Sequence, residues 1–281
     1  MTVIVTGANS GIGEATARAL ARKGAAVTLA CRSLERAEAA AERIRATVPT
    51  AELRTERLDL ASFASVRAAA AELLESHPRL DVLVNNAGLY LHDRTVTEDG
   101  LESMGQINHF GPFLLTQLLL PRLLEAPSAR IVSVSSRAHR MARLRFEDLQ
   151  AEARFHAFER YGTTKLMNLL HVRALSRRLD PARVTVNALH PGVVATGFAQ
   201  DDAGLFGKLV KWAAPFLRDA EGGARASIYL ASSPEVEGVT GKYFVDEHEA
   251  RPRAAALDDD DAQRLWKESL ALTGAPDLAP A

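Results

Sequence analysis

The chain has 281 residues, of which 47% are hydrophobic and 25% charged, enough to bury a substantial core. Its 34 basic and 35 acidic side chains leave a formal net charge of -1, which offers no electrostatic footprint for nucleic acid or for anionic membranes. A single cysteine, Cys31, excludes an internal disulfide framework and a cysteine-based zinc cluster, and suits a reducing cytoplasm.

From the first residues onward, short apolar runs alternate with longer Ala- and Leu-rich amphipathic segments. Strands are expected at 2–6, 27–31, 52–58, 81–85, 130–135, 183–189 and 241–245. Several are continuous Val/Ile/Leu runs, as in strands covered on both faces. Helices are expected near 12–23, 34–47, 62–76, 98–125, 158–179 and 220–232. This alternation predicts the α/β class: a single-domain, Rossmann-type, doubly wound parallel sheet of about seven strands with helices on both faces. No linker, repeat or composition shift divides residues 1–281. Met1 runs at once into a strand, so no leader is expected. The most apolar stretch, 113–124, is interrupted by Gln117, Pro121 and Arg122 and reads as a buried helix, so no membrane span is expected and the chain reads as soluble and cytoplasmic.

Two segments fit this pattern less well. Residues 138–157 are rich in Arg, His and Phe and read equally as a substrate-side insertion or a surface helix. Residues 198–218, with Phe198, Phe206, Trp212 and Phe216, read as a lid beside a ligand-binding edge.

The first strand leads directly into Thr6-Gly7-Ala8-Asn9-Ser10-Gly11-Ile12-Gly13 and then a helix. Glycines permit a tight turn and close backbone approach, and the helix start offers free N–H groups and its positive end to a pyrophosphate. Strand, loop and helix together make this a dinucleotide site. The second strand ends at Arg32-Ser33, where an NAD-selective site usually carries Asp or Glu. The Arg32 guanidinium can pair with a 2′-phosphate and Ser33 can donate a hydroxyl, so NADP(H) is expected over NAD(H), with NAD(H) possible. The alternative is a solvated arginine.

Tyr161 and Lys165 stand at i and i+4 on one helix face, which brings an ammonium near a phenol. A free tyrosine is a poor base near neutrality, and neighbouring positive charge favours its phenolate. The histidines His92, His109, His139, His156, His171 and His190 lack zinc-motif spacing, so no metal site is expected. Asp258 to Asp261 reads as a solvated turn before the last helix.

These motifs, with Leu58-Asp59-Leu60, Asn85-Asn86-Ala87-Gly88, Asn108, Ser135-Ser136 and Pro191-Gly192 followed by Thr196, resemble the short-chain dehydrogenase/reductase family over nearly the whole chain. The resemblance implies an oxidoreductase in which Tyr161 is the general acid/base and Lys165 lowers its pKa and holds the nicotinamide ribose. Ser136 then hydrogen-bonds the carbonyl oxygen, with Ser135 as the alternative, and Asn108 holds a relay water toward Lys165. Asp59, Leu60, Asn86, Ala87 and Gly88 belong to the adenosine side. Pro191, Gly192, Val194 and Thr196 belong to the carboxamide end.

Within the family, Ala30-Cys31-Arg32-Ser33, Gln106 to Phe113, Ser135 to His139 and Ala262 to Trp266 are similar to the retinol-dehydrogenase-like branch. That branch implies a lipophilic aldehyde, ketone, retinoid or steroid-like substrate, and the family implies a homodimer or homotetramer through the helices near 98–125 and 158–179. Phe146, Phe155, Phe158, Phe198, Phe206, Trp212 and Phe216 are candidate pocket walls. The rival expectation is a catalytically silent NADP(H)-binding sensor or scaffold.

Overall fold

Along the first strand, Val3 and Val5 face one apolar layer while Ile4 faces another, so the strand is covered on both sides. The same division runs across the sheet: Val82 and Val84 join the first layer, and Leu83, Ile131, Val184 and Val186 the second. The computed structural model describes residues 1–192 and 219–278. Among these, eight strands lie in the order β3-β2-β1-β4-β5-β6-β7-β8. They are β1 (Thr2–Thr6), β2 (Ala26–Cys31), β3 (Leu53–Arg57), β4 (Val82–Asn85), β5 (Ala129–Val134), β6 (Val184–His190), β7 (Tyr243–Val245) and β8 (His248–Glu249). All neighbours are parallel except β7 and β8. Strand order reverses between β1 and β4, which opens a crevice at their carboxyl ends.

The helices are α1 (Gly11–Arg22), α2 (Leu34–Thr47), α3 (Phe63–Ser76), the single turn α4 (Ser103–Gly105), α5 (Gly111–Glu125), α6 (Ala157–Ser176), α7 (Ala220–Ser232) and α8 (Asp259–Thr273). The layer containing Val3 is closed by α1, α2 and α7, and the layer containing Ile4 by α3, α5, α6 and α8. No helix among the described residues is long and apolar enough to cross a membrane.

Three expectations need correction. The helix expected over 98–125 is broken: Gly100 turns the chain at φ +79°, Glu102 caps α4, and a π turn over Gln106–Phe110 precedes α5. The acidic run is not a turn before the last helix but its start, because Asp258 caps α8 by accepting the Asp261 amide at 2.9 Å and the next three carboxylates sit at the helix's positive end. An eighth strand follows β7 through Asp246 and Glu247, both at positive φ, a turn that lacks the usual Asn-Gly signal.

The last helix closes over α5 and α6. Trp266 stacks edge-on to Phe113 at 5.1 Å and lies 5.9 Å from His171, Arg178 sits 4.3 Å over the indole, and His109 Nε2 pairs with Ser269 Oγ at 3.0 Å. Burial, helped by the Arg178 charge, pushes His171 down to about 4, and burial holds His109 well below its ordinary 6.5. Both imidazoles stay neutral in the folded chain while their unfolded counterparts take up protons near pH 6.5. This cluster is therefore silent above that pH and loses stability as pH falls from 6.5 toward 4, by roughly 3 kcal/mol from His171 alone. Urea midpoints measured across this range are expected to drop for the wild type and to flatten in His171→Leu; equal slopes for both proteins would refute the assignment.

Candidate active site

The chain leaves β1 through Gly7 at φ +65° and enters α1 through Gly11 at φ +55°. Ser10 stands at the N-cap, but its hydroxyl caps nothing, so the first amides of α1 remain open to a ligand. A Cβ on Gly13 would overlap the Gly7 carbonyl and lie 2.6 Å from Asn86 Nδ2, so only glycine lets the helix approach the loop this closely. The loop is pinned from β4: Asn86 Nδ2 donates to the Thr6 carbonyl at 2.7 Å, and the Thr6 hydroxyl accepts the Asn86 and Ala87 amides at 3.0 Å each. It is braced from α2 by Arg43, which donates to the Asn9 carbonyl at 3.1 Å and to Glu14 at 2.7 Å. Arg18 holds the same carboxylate at 2.5 Å. A cradle of glycines with an uncapped helix start fits a dinucleotide diphosphate.

Arg32 is exposed at the end of β2, and Ser33 caps α2 by accepting the Arg36 amide at 3.2 Å, which leaves its hydroxyl hydrogen free to donate. Asp59 is half-buried, with Oδ1 accepting the Ala61 amide at 3.0 Å and its own amide donating to Ser65 Oγ at 3.0 Å. Leu60 is buried behind it. Pro191 and Gly192, the latter at φ +88°, follow β6. Val194, Thr196 and the 198–218 segment lie outside the described residues.

The ends of β4 and β5 meet α6 beside this loop. Ser135 Oγ donates to the Lys165 carbonyl at 2.8 Å, a tie between β5 and α6. Ser136 begins a short 3-10 turn, Arg137–Met141, where its Oγ accepts the Ala138 amide at 3.2 Å and its side chain hydrogen-bonds the Tyr161 phenol. His139 Nδ1 meets the Ser136 carbonyl at 2.6 Å, and His139 Nε2 accepts the Arg253 amide at 3.3 Å, so the ring carries its proton on Nδ1. Gly162 lies against the Ala138 carbonyl, leaving no space for a side chain between this turn and α6.

Lys165 is 3% exposed, with Nζ 5.5 Å from the Tyr161 ring centroid and donating to the Val134 carbonyl at 3.2 Å. A Cβ on Gly88 would come within 3.1 Å of that Nζ and 3.3 Å of Asn108 Oδ1, so Gly88 permits the lysine, the asparagine and the β4 loop to converge. Asn108 sits in the π turn with its side chain fully engaged: Oδ1 accepts the Leu89 amide at 2.8 Å, and Nδ2 donates to the Leu89 carbonyl at 2.9 Å and to Thr164 Oγ1 at 3.1 Å. The Thr164 hydroxyl in turn donates to the Tyr161 carbonyl at 2.8 Å. The π turn carries the Gly111 amide to the Gln106 carbonyl, and Pro112 has no amide hydrogen. The Ile107 carbonyl is left without a helical donor, and the Asn108 carbonyl loses the one it would have a turn later.

Desolvation raises the Tyr161 phenol well above its ordinary range, opposed by the Ser136 hydrogen bond, and burial pushes Lys165 down to about 8. The site can therefore hold a protonated phenol next to a lysine whose charge is easily exchanged.

The structure thus brings Ser136, Tyr161, Lys165 and Asn108 together next to the glycine loop. Phe146 of the expected pocket wall instead packs 4.2 Å from the Arg264 guanidinium of α8. Residues 138–157 form two 3-10 turns rather than a helix, with Leu149 and Ala151 buried. Sequence reasoning missed Thr6, Thr164, His139 and Tyr90, whose ring meets Tyr161 edge-on at 6.1 Å. Thr164 was signalled by its place inside Tyr-x-x-Thr-Lys; Tyr90 had no local signal.

The family model for short chain dehydrogenases matches residues 1–203. The chain is 45% identical to retinol dehydrogenase 14 of Mus musculus, an alignment covering 97% of this chain and 86% of the relative. Among solved structures it is similar to an uncharacterized protein of Mycobacterium paratuberculosis, with TM-score 0.79, 33% identity, and 100% and 95% of the two chains covered. It is also similar to a protein described as an NAD(P) dependent gluconate 5-dehydrogenase of Beutenbergia cavernae with bound NADP, at TM-score 0.70 and 26% identity over 87% and 94% of the chains.

Gly13→Ala is expected to displace the loop, because the clash is with backbone and cannot be relieved by a rotamer. An overpacking cost of about 1–3 kcal/mol corresponds to about 5- to 150-fold weaker dinucleotide binding in a fluorescence titration. An unchanged Kd would remove the loop from the binding site.

Proposed function

The chain belongs to the short chain dehydrogenase family, and we propose from that premise that it transfers hydride between NADP(H) and the carbonyl or alcohol carbon of a lipophilic aldehyde, ketone, or retinoid- or steroid-like substrate. An oxidoreductase of CH–OH groups using NAD(P) is the family-level activity. The observation that carries the reading is the meeting of Tyr161, Ser136 and Lys165 at the carboxyl ends of β4 and β5, next to the uncapped start of α1.

The nicotinamide, when bound, gives or takes the hydride. The Tyr161 hydroxyl gives its proton to the carbonyl oxygen in reduction and takes one in oxidation. Ser136 donates to that oxygen as charge builds on it, which stabilises the transition state more than the ground state. Ser135 is already committed to the Lys165 carbonyl, which favours Ser136 for this role. Lys165 holds the nicotinamide ribose and, charged, favours the phenolate. Asn108 serves the relay through its backbone carbonyl rather than its amide, which is engaged elsewhere. Asp59, Leu60 and residues 86–88 flank the adenosine, and Pro191 and Gly192 the carboxamide.

NADP(H) preference is supported by Arg32, by the free Ser33 hydroxyl hydrogen and by the positive end of α2 at the same point. The 45% identity to a retinol dehydrogenase supports an apolar substrate, with 138–157 as its wall. Cys31 is buried, and burial raises its thiol to about 11, an inert group in keeping with a reducing cytoplasm. A homodimer or homotetramer through α5 and α6, as the family implies, has to accommodate α8, which lies over them in the chain.

A screen of carbonyls and alcohols with both cofactors tests the reading. Tyr161→Phe is expected to lower kcat by about 10²- to 10⁴-fold with cofactor Kd unchanged. A protein that binds NADP(H) but turns over nothing would instead be the silent sensor or scaffold. Arg32→Asp is expected to move the kcat/KM ratio of NADP to NAD by about 10-fold or more toward NAD, roughly one lost charge-assisted contact; an unmoved ratio would make Arg32 a solvated bystander.

A further inference from the structure

We propose that Arg160 and Glu102 are positioning residues: a buried ion pair that sets the Tyr161/Lys165 face of α6 in register with the π turn carrying Asn108. The inference rests on the proton-transfer reading of that face.

Arg160 immediately precedes Tyr161, yet it points into the protein. Its Nε donates to Glu102 Oε2 at 2.6 Å, with side-chain exposures of 4% and 0%. Burying two charges costs more than burying apolar groups of the same volume, so stability alone is a poor reason for the pair. Geometry supplies a better one. The Glu102 carboxylate accepts the Met104 amide on Oε1 and the Gly105 amide on Oε2, both at 2.8 Å, so it fixes the turn that opens directly into Gln106–Phe110. Gly105 is required because a side chain there would overlap the Arg160 guanidinium. The Glu102 amide donates to Gln150 Oε1 at 2.8 Å, which secures the same point from the 138–157 segment.

The π turn is thereby attached to α6 at two places. At its entry, Glu102 grips Arg160; at its centre, Asn108 Nδ2 reaches Thr164 Oγ1, which bonds the Tyr161 carbonyl. Two attachments fix the rotation of the π turn against α6 as well as its distance, and they add to the ties that hold α6 to β5. Among the described residues Arg160 Nη2 is buried with no hydrogen-bond partner, so the guanidinium is held at Nε without saturating its donors. That incomplete satisfaction suits a group retained for placement.

Removing one partner strands a buried charge and can unfold the chain, so the informative variant is Arg160→Met combined with Glu102→Gln, which strands no charge and keeps one oxygen acceptor at the turn in place of two. It is expected to fold, to bind NADP(H) within about 3-fold of wild type, and to lose about 10- to 100-fold in kcat with little change in KM, the size of effect a misplaced reacting group produces. The pH limb assigned to Tyr161 is expected to move up by more than about half a unit. Arg160→Lys is expected to recover part of the rate. The second readout does not require turnover: phenolate absorbance of the NADP⁺ complex, taken as the difference from Tyr161→Phe, is expected to titrate at higher pH in the double variant. An unchanged kcat and an unchanged titration would overturn the proposal. Wild-type protein that turns over no carbonyl would instead fail the proton-transfer reading, and the phenolate titration would still decide whether the pair positions Tyr161.

Discussion

A lysine ammonium kept almost wholly out of water is the constraint around which this molecule is arranged. Lys165 is 3% exposed and donates to the Val134 carbonyl, and burial alone brings its pKa down to about 8. A cation so placed is tolerated only where the backbone supplies oxygen acceptors and an anionic ligand can complete its shell. The carboxyl ends of β4 and β5 meet that condition, since strand ends leave carbonyls unpaired beside a crevice. The glycine at position 88 then matters because it lets Lys165 and Asn108 approach the β4 loop together.

The switch in strand order converts distant segments into one site. Because β1 and β4 are neighbours, Thr6 and Asn86 lock the glycine loop to the loop after β4, across eighty positions of sequence. Because β5 follows β4, Ser135 and Ser136 arrive at the face of α6 that carries Tyr161 and Lys165. The ties from Thr6, Asn86 and Ser135 each use a backbone group on one side, whereas Ser136 meets Tyr161 side chain to side chain. Ser136 is also steadied through its backbone: His139 holds its carbonyl and is itself anchored by the Arg253 amide, so a segment beyond the parallel sheet supports the site.

The π turn is the least regular piece of backbone around the cleft and has identifiable causes. Pro112 removes an amide from the start of α5, Glu102 caps the turn before it, and Asn108 fastens it to Leu89 and Thr164. Local unwinding of this kind exposes main-chain carbonyls inside a protein, where they are costly unless a partner is supplied. Its placement beside Lys165 connects that cost to the chemistry. Further along α6 the cluster of His109, His171 and Trp266 serves packing, with neutral imidazoles that lower the acid tolerance of the fold.

Much of this could be read from the chain as letters. The parallel sheet followed from apolar runs too continuous for a one-sided strand, the glycine loop from its place between β1 and α1, and the Tyr161/Lys165 pair from helical spacing, because each is a local pattern with a period or a fixed offset. The broken helix before α5, the helix start at Asp258 and the hairpin through Asp246 were not legible, since each depends on a cap or a positive φ that neighbouring elements stabilise. Nor could spacing reveal that Arg160 meets Glu102, that Thr6 serves Asn86, or that Phe146 belongs under α8. Local sequence determined most of the elements and which groups are candidates for the chemistry. Only the folded sheet decided which of those groups share a dielectric and a hydrogen bond, because burial and contact are properties of surfaces that do not exist until the strands are in order.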